Sequence, residues 1–157
     1  MTITARDIMS PTVVGITEHQ TLQEAISLMA QHNISGLPVI DEDHRLLGII
    51  SNTDIIRYSQ QRNIVPLMDL SGWISPHTEI TDMASLRRGI ELLANTTVDR
   101  LMKRKVYTAS GGSKIIDLAR LMSRRKINRI PILDEEGKLV GIVTRADLVR
   151  SLAGENS

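Results

Sequence analysis

Residues 36–57 read GLPVIDEDHRLLGIISNTDIIR, and residues 129–150 read RIPILDEEGKLVGIVTRADLVR. Pro38 matches Pro131, Gly48 matches Gly141 and Asp54 matches Asp147, each at an offset of 93. The same offset carries Thr4 to Thr97, Met9 to Met102 and Met29 to Met122 without a gap. From Thr4 to Arg57, 14 of 54 positions are identical, and 13 of the other 40 exchange one aliphatic residue for another. Proline, glycine and aspartate do not hold one register over that length by chance, so the chain is a tandem repeat.

Each copy spells the same elements. ARDIM (5–9) and VDRLM (98–102) each suit a single helical turn. TVVGIT (12–17) and KVYTAS (105–110) are short and β-branched, which suits strands. In residues 21–34, Leu22, Ala25, Ile26, Met29 and Ala30 recur at helical spacing behind Thr21, a natural N-cap. Ile115, Leu118, Ala119 and Met122 do the same in residues 113–127. LPVID (37–41) and IPILD (130–134) are short apolar runs that read as buried strands, DEDH and DEEG as turns, and LLGII and LVGIV as second strands. A closing helix begins near Asn52 and again near Arg145. The predicted order is β-α-β-β-α in both copies, an α/β class fold. One copy has too few strands and too little core to be stable by itself. The expected architecture therefore packs two pseudo-symmetric repeats sheet to sheet as one module.

The predicted boundaries are 4–57 for the first repeat, 58–96 for a connector and 97–153 for the second repeat. In the connector, Pro66 and Pro76 bracket LMDLSGWIS, which lacks clean periodicity. Met83, Leu86, Ile90 and Leu93 then fall on one helical stripe behind Thr81, which predicts an inserted helix lying on the core. A contact surface around Trp73 is the sharper alternative for this region.

Composition bounds the rest. The 157 residues are 41% hydrophobic and 24% charged, ordinary for a folded globular chain. No run approaches the roughly 20 apolar residues that span a bilayer. MTITARDIMS has no apolar signal core, so a cytoplasmic location without a membrane anchor is expected. Cys is absent, which excludes disulfides and thiolate metal sites. With no Phe, one Trp and two Tyr, the core must be aliphatic and filled by Met. Residues 1–78 carry 4 Lys/Arg against 8 Asp/Glu, and residues 79–157 carry 15 against 10. Such asymmetry marks either an anion-binding half or two solvated faces of different charge.

Two short constellations carry chemistry. Ser51-x-x-Asp54 and Thr144-x-x-Asp147 each stand between a strand and a helix. A Ser or Thr followed three residues later by an acid is a helix capping box, which accounts for them without a ligand. An ionised carboxylate is also an acceptor that takes both hydroxyls of a ribose diol, and a nearby helix start offers N–H groups to phosphate. A cap and a ligand site can coexist. His19, His32, His44 and His77 are scattered without metal-ligand spacing, and no metal is expected. GxSxG, GxxxxGK[ST] and GxGxxG are absent, and Gly111-Gly112-Ser113 reads as a turn. Asp54 and Asp147 have no evident partner acid or nucleophile, so no catalysis is expected. Lys103-Arg104-Lys105 and Arg124-Arg125-Lys126 offer charge to phosphates, but the chain has almost no aromatic stacking partners for nucleic acid. They read as a solvated face.

The paired pattern I-x-x-(L/I)-P-(V/I)-(I/L)-D and (L/V)-G-I-(I/V)-(S/T)-x-x-D resembles the CBS (cystathionine-β-synthase-type) domain family, in its two-repeat Bateman form. The resemblance covers nearly the whole chain outside the connector. It implies a regulatory module, homodimeric, that needs no cofactor. Such a module binds an adenosine-containing ligand (AMP, ADP, ATP or S-adenosylmethionine) in clefts between repeats and signals to a protein partner. Carried over by position, Ile34, Ser35 and Gly36 would line the adenine, with Thr144 and Asp147 holding the ribose. The pseudo-symmetric set is Ile127, Asn128 and Arg129 with Ser51 and Asp54, and Val13 and Val106 would add apolar contact to the adenine faces. Arg129 matches a family position that is often basic and near phosphates, whereas its counterpart is Gly36, so the two clefts differ chemically. The alternative from another class is a ligand-independent scaffold.

Overall fold

The computed structural model describes residues 2–11, 13–61 and 83–154. The first repeat forms α1 (Ala5–Ile8), α2 (Leu22–His32), β1 (Gly36–Ile40), β2 (Leu46–Ser51) and α3 (Asn52–Gln61). α4 (Met83–Asn95) follows, then a 3-10 turn (Val98–Arg100). The second repeat continues with β3 (Ala109–Ser110), α5 (Ile115–Arg125), β4 (Arg129–Leu133), β5 (Leu139–Thr144) and α6 (Arg145–Leu152). β1 and β2 make a two-stranded sheet; β3 pairs parallel with β4, and β4 pairs antiparallel with β5. The fold is mixed α/β, as expected.

The expected leading strands are shorter than their β-branched sequences suggest. Only Ala109–Ser110 joins β4, and in the first repeat a single parallel bridge joins Ile16 to Val39. The residues upstream are already committed. Ser10 exchanges both backbone hydrogen bonds with Ile142 (2.9 and 3.2 Å), and Lys103 exchanges both with Ile49 (2.8 and 2.9 Å).

Local signals set the helix ends. At α2, the Thr21 hydroxyl accepts from the Glu24 N–H while the Glu24 carboxylate accepts from the Thr21 N–H, both at 3.2 Å. α2 and α5 close on equivalent left-handed residues, Asn33 (φ 52°) and Lys126 (φ 56°). Ile34 and Ile127 then donate back to the Met29 and Met122 carbonyls at 2.9 and 3.1 Å, which turns the chain into β1 and β4.

Two compact units form, and they cut across the repeats. Unit 1 contains Met1–Val13, Asp43–Leu46 and Val106–Ser157; unit 2 contains Val14–Glu42 and Leu47–Lys105. The core of unit 2 is Leu22, Ala25 and Met29 of α2, Leu37 and Val39 of β1, Ile50, Ile55 and Leu93, completed by Val98 and Met102. In unit 1, Ala5 of α1 packs with Leu118 and Met122 of α5, Ile130 and Ile132 of β4, Val143 and Leu148. Ala5 and Val98 are equivalent positions, both fully buried. Each repeat therefore gives its leading turn to the core built mainly by the other.

Backbone bonds repeat the exchange. Ala5 donates to Ser113 at 2.8 Å and Ile115 to Ile3 at 3.2 Å in unit 1. Val98 donates to Gln20 at 2.8 Å and Leu22 to Thr96 at 2.9 Å in unit 2. Each fully buried aliphatic side chain stabilises its core by about 1.5–3 kcal/mol relative to exposure. The cores are aliphatic with buried Met29, Met102 and Met122, as the composition requires.

Two helical stripes differ from expectation. Ala119 is exposed, and Leu121 packs on the unit 1 core instead. Ile90 is 53% exposed, because the buried face of α4 runs through Gly89 and Leu93, four apart, with Leu93 in the core beside α2. One residue on from Gly89, Ile90 is rotated about 100° away from that face. Pro66, Trp73, Pro76, His77 and Thr81 lie outside the described residues, as do the side chains of Met83 and Leu86. No helix among the described residues is long and apolar enough to cross a membrane.

Candidate functional site

β2 ends at Ser51 where α3 begins, and β5 ends at Thr144 where α6 begins. Both joints close a capping box. In unit 2, Asp54 Oδ2 accepts from the Ser51 N–H at 3.1 Å and from its hydroxyl at 2.9 Å, and the Asp54 N–H donates to Ser51 Oγ at 3.2 Å. In unit 1, Asp147 Oδ2 accepts from the Thr144 N–H at 2.8 Å, and the Asp147 N–H donates to Thr144 Oγ1 at 3.2 Å. The capping reading of both motifs is thus realised.

Capping does not require burial. The boxes Thr4/Asp7 and Thr21/Glu24 are exposed. In the first, the backbone N–H and hydroxyl of Thr4 hold the Asp7 carboxyl below its ordinary 3.8. Asp54 and Asp147, by contrast, are only 6% and 8% exposed. A buried ionised carboxylate must be hydrogen-bonded or paired, so its second oxygen is the informative one. Asp54 Oδ1 faces Lys103 Nζ at 3.7 Å, and Asp147 Oδ1 meets the Arg150 guanidinium. A carboxylate has about four acceptor sites, so both retain capacity for a further donor.

The segments expected to line an adenine lie beside these joints within each unit. Asn52 donates its N–H to the Ser35 carbonyl at 3.0 Å, joining Ile34–Gly36 to the start of α3. Arg145 donates likewise to the Asn128 carbonyl at 2.8 Å, joining Ile127–Arg129 to the start of α6. Arg129 also stands opposite Thr144 in the β4–β5 register. Ile34 and Ser35 are exposed and Gly36 buried; Ile127 and Arg129 are half-buried and Asn128 exposed. Val13 and Val106, one from each repeat, are half-buried and both fall within unit 1.

The cations at the two carboxylates escaped sequence reading to different degrees. Arg150 lies three residues after Asp147 on one helix, a spacing that brings side chains together and was legible. Lys103 is distant in sequence from Asp54, and nothing local announces the pair. Among the described residues no group of three or more His, Cys, Asp or Glu is placed to hold a metal ion. His19, His32 and His44 are exposed.

A model of the CBS domain matches residues 5–61 and 98–154. The protein MJ1426 of Methanocaldococcus jannaschii is 34% identical over 151 residues, which cover 94% of this chain and 89% of that protein. Among solved structures, CBSX2 from Arabidopsis thaliana in complex with AMP is 25% identical, with a TM-score of 0.73 over 97% of each chain. The CBS domain pair of protein MJ0100, in complex with 5′-methylthioadenosine and S-adenosyl-L-methionine, is 27% identical, with a TM-score of 0.69 over 99% of each chain. The duplicated strand–Ser/Thr-x-x-Asp–helix joints and these matches agree: this chain belongs to the CBS domain family, with one CBS domain in each repeat.

Proposed function

We propose that this chain is a non-catalytic regulatory module that binds an adenosine-containing ligand (AMP, ADP, ATP or S-adenosylmethionine) and passes its occupancy to a protein partner. It acts as a cytoplasmic homodimer and requires no cofactor. The observation that carries this reading is the pair of equivalent carboxylates, Asp54 and Asp147, buried to 6% and 8% exposure where solvated caps would have sufficed. In this reading Ser51, Asp54, Thr144 and Asp147 hold ribose hydroxyls. Ile34, Ser35, Gly36, Ile127, Asn128 and Arg129 lie along the adenine, and Val13 and Val106 supply apolar contact. Relatives solved with AMP, and with 5′-methylthioadenosine and S-adenosylmethionine, support the ligand class.

A ligand-independent scaffold is the second reading. It is favoured by one observation: both carboxylates are already met by a cap and a cation from their own unit. Thermal melting separates the two. At about 100 times its Kd, a ligand stabilises the folded state by about 2.7 kcal/mol, a shift on the order of 5–11 °C for a chain of this size. Wild type, Asp54→Ala, Asp147→Ala and the double variant are melted with and without AMP, ADP, ATP and S-adenosylmethionine. The sensor reading expects a shift in wild type that falls in the single variants and is absent in the double. A shift unchanged in all three variants retires the carboxylates as ribose ligands, and no shift with any ligand establishes the scaffold.

A further inference from the structure

Asp54 and Asp147 are equivalent, yet they meet cations of different origin. Asp147 pairs with Arg150 of its own helix. Asp54 faces Lys103, which reaches it from the residues that follow the 3-10 turn and belongs to the same compact unit.

The main chain of Lys103 is fixed. It exchanges hydrogen bonds of 2.8 and 2.9 Å with Ile49, and its carbonyl crosses Gly48 so closely that a β-carbon there would stand 2.6 Å from the oxygen. The side chain is free to sweep: it is 65% exposed, against 6% for Asp54. At 3.7 Å the contact is longer than the roughly 2.7–2.9 Å of a charge-assisted hydrogen bond. Lys103 is thus an ammonium on a rigid anchor, loosely parked against a buried acceptor. The equivalent residue, Ser10, keeps the same register against Ile142 through the same pair of backbone bonds but carries no charge. The frame is repeated and the cation is not.

We propose that Lys103 makes the Asp54 site select adenosine ligands with an anionic 5′ group, phosphate esters of adenosine, over adenosine itself and over S-adenosylmethionine, whose sulfonium is cationic. The proposal rests on the adenosine reading given above. A ribose diol donating to Asp54 takes the acceptor that holds the ammonium and releases it. The 5′ carbon lies one sugar ring from the diol, inside the sweep of a lysine stem. A phosphate there gains the charge that Asp54 gives up; a neutral 5′-hydroxyl or a sulfonium does not.

The test is calorimetric titration of AMP and of adenosine into the Asp147→Ala protein, where Asp54 is the remaining ribose-holding carboxylate, and into the same protein carrying Lys103→Ser or Lys103→Arg. Serine is the residue that the other repeat uses in this register, and melting curves check that each variant folds. AMP is expected to bind about tenfold tighter than adenosine, the lower end for a hydrogen bond to a charged group. Lys103→Ser should erase that preference while leaving adenosine affinity equal or higher, and Lys103→Arg should keep it. Equal losses for both ligands in Lys103→Ser, or an unchanged preference, overturn the proposal. Binding in wild type but none in the Asp147→Ala protein also overturns it, leaving the adenosine reading to stand on Asp147. No binding of either ligand to wild type overturns both.

Discussion

Gly48 lies beneath the main chain of Lys103, close enough that a β-carbon would approach the Lys103 carbonyl oxygen to 2.6 Å. At the equivalent Gly141, a β-carbon would meet the Met9 sulfur at 2.5 Å and the Ser10 carbonyl oxygen at 3.1 Å. A thioether end can swing away, whereas a carbonyl on a main chain held through both its N–H and its C=O cannot. Gly48→Ala should therefore destabilise by about 3 kcal/mol, and Gly141→Ala by about 1, the two ends of the usual overpacking range. Urea unfolding midpoints rank them. A larger loss at Gly141 would contradict a fixed Lys103 main chain.

Lys126 ends α5 at φ 56°, a conformation that costs a side-chain-bearing residue about 1–2 kcal/mol. Asn33 holds the equivalent place with a residue better suited to it. Lys126→Gly is expected to stabilise by about 0.5–1 kcal/mol, a rise in Tm of roughly 1–4 °C. Asn33→Gly should change Tm by less. Differential scanning calorimetry reads both.

Thr21 and Thr144 are both N-caps, but only Thr144 adjoins a buried carboxylate. Either Thr→Ala change should cost about 0.5–2 kcal/mol of stability. Only Thr144→Ala should also weaken AMP binding in titration calorimetry. Equal ligand effects at the two positions would reduce the Thr144 motif to a cap.

Asp7 tests the acid side of the stability curve. Its carboxylate accepts from the Thr4 N–H at 2.9 Å and the Thr4 hydroxyl at 3.1 Å, which hold it below 3.8. A carboxyl with a lowered folded value stabilises the protein above its unfolded value, and that stabilisation is lost as pH falls through the folded one. Asp7→Asn should therefore lower Tm slightly at about pH 7, with the gap to wild type closing towards about pH 3. A gap that widens in acid would contradict the assignment.

The joints at Asn52 and Arg145 were legible because their signals are local: an apolar run, a Ser or Thr, and an acid three residues on. The exchange of leading turns was not. Ala5 and Val98 are apolar in either arrangement, and periodicity says that a face is buried without saying against which copy. Lys103 and Asp54 meet only through that exchange, so their pairing was equally hidden. On α4, Leu86, Ile90 and Leu93 read as one stripe, but the buried face runs through Gly89 and Leu93 and leaves Ile90 exposed. Glycine carries no hydrophobic signal, so the burial of Gly89 was hidden.

The exchanged leading turns also set an order of events. Everything that unit 2 contains has been synthesised once Lys105 is made. Residues 2–13 are older still, but Ser113, Ile115 and Ile142, the residues they bond to, do not yet exist. Their bonds to those residues can form only after unit 2 has been made, and they close a ring that runs through most of the chain. Contacts so distant in sequence form slowly. Residues that precede unit 2 in the chain are thus placed only after it has been made.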